Sequence, residues 1–133
     1  MPYLTAYVTS MIVFLGLDAV WLLVMGPRLY RPVLGDILAP KLNAPAAIAF
    51  YLIYGLGILI LGVAPALREG AAGRAALNGA VLGFVAYATY DLTNQATLRF
   101  WSTRLTLADM AWGAALTALA AYAGLQAARL VAR

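Results

Sequence analysis

Four long apolar runs divide the chain, at residues 4–25, 46–67, 75–98 and 107–130. Each is about the ~20 residues that a helix needs to cross a bilayer. The pattern predicts one domain of the all-α class: a four-helix transmembrane bundle, up-down in topology, with short loops. Gly26-Pro27 follows the first run, and a proline there predicts the end of that helix. Residues 28–38 carry Leu29, Val33, Leu34, Ile37 and Leu38 on one side, with Arg28, Arg31 and Asp36 elsewhere. That pattern fits a short interfacial helix after the first span, or an irregular loop, equally well. Asn43 is placed to cap the second span, with Pro45 in its first turn. Residues 68–74 and 100–106 form the other two connections. Span two has Gly55, Gly57 and Gly62, and span four is rich in alanine with Gly113 and Gly124. Such residues let helices approach closely in a membrane.

Composition narrows the class. Of 133 residues 65% are hydrophobic and only 11% charged, against about 25% charged in soluble domains. The first run lacks the basic leader and small-residue cleavage pattern of a signal peptide, so it is read as a retained span. With no cysteine and no histidine, thiol catalysis, disulfides, His-ligated haem and the common zinc sites are excluded. No cofactor or metal is expected from the residues present, although a site made of carboxylates alone stays open. Proton transfer, if any, falls to Asp, Glu, Tyr or water.

The polar positions inside the spans carry the information about function. Span three ends in Tyr87-Ala-Thr-Tyr-Asp-Leu-Thr-Asn-Gln-Ala-Thr-Leu-Arg. Asp91, Asn94 and Gln95 share one helix face, and Tyr87 lies one turn before Asp91. A carboxylate at the bilayer centre costs at least ~2.5–3.5 kcal/mol, so such a residue faces the bundle interior and usually has a role. Asp18 in span one is a second such acid. Neither has a basic residue within one helical turn, so each needs a partner from another helix or a proton. Asp109 stands early in span four, where a first-turn acid is favoured by the helix dipole and needs no further role. Alternating topology brings Asp18, Asp91 and Asp109 to the same leaflet. Asp-x-x-Trp occurs twice, at Asp18–Trp21 and Asp109–Trp112, and sets an indole N–H one turn from a carboxylate. The candidate ligand-binding set is therefore Asp18, Trp21, Tyr87, Asp91, Asn94, Gln95, Asp109 and Trp112. For the two amides, interhelical hydrogen bonding is an equal alternative.

The net charge of +4 comes without a basic patch, so nucleic acid is not expected as a partner. Anionic lipid headgroups are the expected partners of Arg28, Arg31, Arg99 and Arg104. The side of the bilayer holding these four and Lys41 has five basic residues, against Arg68, Arg74, Arg129 and Arg133 on the side of the termini. Five against four leaves orientation undecided under the positive-inside rule, and cytoplasmic termini are expected only from the even number of spans. A homodimer of mixed orientation, or a larger membrane complex, stays open.

The Tyr87–Leu98 stretch, the Leu105-Thr-Leu-Ala-Asp-Met-Ala-Trp-Gly segment after it, Leu17-Asp18-Ala-Val-Trp21 and Phe50-Tyr51 together resemble one family. It is the group of small bacterial membrane proteins known as domain of unknown function 2177. The resemblance implies four spans in the bacterial inner membrane and brings no activity with it. From the residues, the favoured function is an intramembrane carboxylate/amide pocket that binds or carries a small amphipathic, lipid-like or cationic molecule. A non-catalytic accessory subunit or assembly factor is the second reading, with the glycine-rich span two and alanine-rich span four as docking faces. An enzyme of lipid or isoprenoid metabolism is the third, with Asp18 or Asp91 as acid or base. Against it stands the absence of any nucleophile–base pair.

Overall fold

The computed structural model describes residues 1–133 and contains helices only. The helices are α1 (Pro2–Leu34), α2 (Ala44–Glu69), α3 (Ala72–Thr97) and α4 (Thr103–Ala132). They form the up-down four-helix bundle that the apolar runs predict. α1, α2 and α4 are long and apolar enough to cross a membrane. α3 is 26 residues long and carries the polar run near its end.

Local chemistry sets most boundaries. Asn43 accepts the Ala46 N–H at 3.3 Å and starts α2. Ser102 accepts the Leu105 N–H at 3.0 Å and starts α4. Gly70 ends α2 with a φ of 70°, a left-handed conformation that glycine adopts without a Cβ penalty. Beside that turn Arg74 pairs with Glu69 at 3.1 Å on the exposed surface.

Gly26-Pro27 does not end the first helix, contrary to the sequence expectation. Residues Gly26–Tyr30 widen into a π-helical turn, in which the Arg31 N–H bonds the Gly26 carbonyl, and the helix runs on to Leu34. A widened turn accommodates the missing N–H and the bulk of the proline ring without a break. α2 does the same at Ile58–Val63, just before Pro65. The extension of α1 is held down by Leu29 and Leu34, which pack with Leu105 as a small second core.

α4 is the central pillar. Its buried side is lined by Leu116, Ala120, Ala121, Leu125 and Ala128, which meet Ala6 and Phe14 of α1 and Ile58 and Val63 of α2 in the main core. α3 packs along α4 through glycines. A Cβ on Gly79 would stand 2.6 Å from the Thr117 carbonyl oxygen, and one on Gly83 only 2.1 Å from that of Gly113. Across the bundle Ser10, fully buried, donates to the Ala120 carbonyl at 2.9 Å.

α2 is docked unevenly. From Tyr54 onward it buries Gly55, Ile58, Gly62 and Val63 among the other three helices. Its first two turns, residues 44–50, are exposed apart from a half-buried Ala47. The end of the bundle that carries Asp18, Asp91 and Asp109 is therefore open on the side between α2 and α3.

Candidate intramembrane ligand site

Three helices bring Asp18, Asp109 and Asp91 together, each almost or wholly buried at 9%, 5% and 0% exposure. No lysine or arginine pairs with any of them. Asp109 is not in the first turn of its helix, contrary to expectation. α4 begins at Thr103 and has its own cap in Ser102, which moves Asp109 into the second turn and onto the buried face. The helix dipole therefore does not account for it.

Hydrogen bonds join the acids to aromatic side chains from every part of the site. Asp18 accepts from the Tyr51 hydroxyl and from the Trp112 indole N–H, both at 3.2 Å. Asp109 accepts a hydrogen bond from the Tyr30 hydroxyl, which itself accepts the Trp21 N–H at 2.8 Å. Trp21 and Trp112 lie face to face, with ring centroids 4.6 Å apart and planes within 5°. The two Asp-x-x-Trp pairs are thus crossed. Trp112 serves the aspartate of α1, and Trp21 serves that of α4 through Tyr30. One stack of indoles holds both carboxylates, an arrangement that neither helix builds alone. Phe14 supports Tyr51 edge-on at 5.9 Å between ring centroids.

Asp91 differs from the other two. No N–H or O–H donor reaches either of its oxygens.

Two clefts of about 360 Å³ each meet at Tyr87, Tyr90 and Asp109. One is mostly apolar, with Leu22, Leu34 and Leu38 in its wall, and reaches Asp18, Tyr30, Arg31 and Asp109. The other, apolar but for one acid, is lined by Phe50, Ala86, Tyr87, Tyr90 and Asp109. Tyr87, Tyr90 and Asp109 line both. The Tyr87 ring is held flat because Gly113 leaves room for it: a Cβ there would lie 2.2 Å from the ring. The apolar cleft lies where the first turns of α2 stand away from α3.

The amides sit elsewhere. Gln95 donates to Thr103 at 2.9 Å and accepts from Thr106 at 2.8 Å, and Trp101 donates to the same Thr106 hydroxyl at 2.7 Å. These bonds clamp the α3–α4 connection. Gln95→Leu is expected to lower stability by about 1–2 kcal/mol through the lost hydrogen bonds, read as a shift of the unfolding midpoint in detergent. Asn94 is half-buried beside this clamp and lines neither cleft. Tyr30, Tyr51, Phe50 and Tyr90 join the site unforeseen. Tyr51 stands one turn from Tyr54 in an uncharged span, a spacing that could have marked it, whereas Tyr30 lies beyond the expected helix end.

A family model described as "Predicted membrane protein (DUF2177)" matches residues 3–126, nearly the whole chain. The chain belongs to this family. No curated protein and no solved structure matches it. For this DUF2177 member the cleft and its carboxyl groups are the features from which a function has to be argued.

Proposed function

We propose that this DUF2177 protein is a multi-pass protein of the bacterial inner membrane that binds or carries a small amphipathic cation between its helices. The observation that carries this reading is the junction of the two clefts. An apolar slot walled by Phe50, Ala86, Tyr87 and Tyr90 runs into buried carboxyl groups that have no cationic partner within the protein. An alkyl chain fits the first part, and a positively charged head fits the second, with tyrosine and tryptophan faces beside it. Asp18, Asp109, Tyr30 and Tyr87 form the contact surface in this reading, while Trp21 and Trp112 fix the two carboxylates. Arg28, Arg31, Arg99 and Arg104 are all exposed and on this reading lie against anionic headgroups at the same membrane face.

Binding of octyltrimethylammonium to the purified protein in uncharged detergent tests the proposal, with octanol and octanoate as controls. The cation should bind and the two controls should not. Asp18→Asn and Asp109→Asn should each weaken binding about ten-fold or more, since each removes a charge-assisted contact. Equal binding of octanol, or unchanged affinity in both variants, overturns it.

A further inference from the structure

We infer that the ligand is a zwitterion whose positive charge lies between its alkyl tail and an anionic group, the order of an alkyl betaine, and that Arg31 receives the anion. This rests on the cation-binding reading above and names the class of headgroup. The order follows from how the two clefts join. Phe50 and Ala86 wall the slot and do not reach the second cleft, whereas Arg31 lines the second cleft and not the slot. Asp109 lines both. A chain that leaves the slot therefore meets the carboxyl group first and the guanidinium after it.

Asp109 has an oxygen free for the positive charge. The residue is only 5% exposed, and the hydrogen bond it accepts from Tyr30 falls on Oδ1. Its Oδ2 is left without a donor, on a side chain that borders both clefts. A carboxylate can accept several hydrogen bonds, and burying one that is only partly engaged is costly.

Arg31 follows Tyr30 directly, at the end of the widened turn that brings the Tyr30 hydroxyl to Asp109. It is exposed and makes no ion pair, although Asp36 borders a small hollow with it. Arg28, Arg99 and Arg104 stand at the same end of the bundle but line neither cleft. The second cleft thus holds Asp18 and Asp109 together with a guanidinium that pairs with neither. A simple cation entering it is attracted by the carboxylates and repelled by Arg31. A cation that carries an anion on a short carbon link turns that repulsion into a charge-assisted contact. The guanidinium fork suits the paired oxygens of a carboxylate or sulfonate. A headgroup in the opposite order, with phosphate between tail and ammonium, would set its anion against Asp109 as it left the slot.

Three ligands with the same octyl tail test this on the purified protein in uncharged detergent: octyltrimethylammonium, an octyl sulfobetaine and octylphosphocholine. The sulfobetaine should bind about five-fold more tightly than the plain cation, the gain expected of one largely exposed charge-assisted contact. Octylphosphocholine should bind no better than the plain cation. Arg31→Gln should remove the preference for the sulfobetaine and leave the affinity for octyltrimethylammonium equal or higher, which also shows that the variant is folded. Arg28→Gln should keep the preference. A sulfobetaine that binds no better than the plain cation, a preference that survives Arg31→Gln, or an equal gain for octylphosphocholine overturns the inference and leaves the cation reading standing. Failure of all three ligands to bind overturns both. The wild-type comparison uses no variant, so it decides the point even where Arg31→Gln does not fold.

Discussion

Gly83→Val should cost about 3 kcal/mol or more and abolish the folded bundle under conditions where the wild type survives. The physical reason is the absence of any flexible neighbour. A Cβ at this position would stand 2.1 Å from the Gly113 carbonyl oxygen and 2.6 Å from the Thr117 hydroxyl. The first is backbone. The second is already engaged with the Tyr54 hydroxyl at 2.8 Å, so the disturbance passes from the α3–α4 seam into α2. Helices in a bilayer gain nothing from hiding apolar surface from lipid, and depend on close packing between small residues. Forcing α3 away from α4 by a side chain removes that packing along the seam. Gly16 is the control. It lies on the exposed side of α1 with nothing within 4 Å of a Cβ, and Gly16→Val is expected to change stability by less than about 0.5 kcal/mol. Equilibrium unfolding in mixed micelles compares the two. Equal effects would mean that α3 and α4 are not in the close contact described.

The fold could be read from the sequence because the features that decide it are local or compositional. Apolar runs of bilayer length and Asn43 at a helix start each act through a few neighbouring residues. The failures have physical causes as well. A proline normally breaks a helix, but it does not when the turn around it widens, and nothing in Gly26-Pro27 alone reveals which will happen. That one misreading hid Tyr30, since a residue placed in a loop is not expected to reach an aspartate on another helix. Asp109 was misplaced for a separate reason: α4 starts at Thr103, before the apolar run at 107, so the acid falls in the second turn. The acids themselves were legible, because a carboxyl group in an apolar run is costly wherever it points. Their partners were not legible. Periodicity gives the face of a helix, but the crossed pairing of two tryptophans is decided by which helices stand side by side. Gln95 shows the same limit: its helical face is that of Asp91, yet it lies far enough along α3 to meet Thr103 and Thr106 instead.

Replacing Trp112 by alanine should destabilise the protein by about 3 kcal/mol, and replacing Trp21 by somewhat less. The double variant should fall short of the sum by about 1 kcal/mol, because the stacked pair is lost only once. Phenylalanine substitutions separate the stack from the hydrogen bonds. Trp112→Phe keeps an aromatic face on Trp21 but leaves Asp18 with the Tyr51 hydroxyl as its remaining donor. Trp21→Phe leaves the Tyr30 hydroxyl still donating to Asp109 and removes only the bond that Tyr30 accepts. A buried carboxylate that loses a donor costs more than a hydroxyl that loses one of its two partners. Trp112→Phe should therefore be the more damaging of the two, by about 1 kcal/mol, and should weaken octyltrimethylammonium binding more because Asp18 is no longer held. If the order is reversed, or the alanine pair proves additive, the indoles do not hold the carboxylates in the crossed manner described, and the cleft's charge must be positioned by the tyrosines alone.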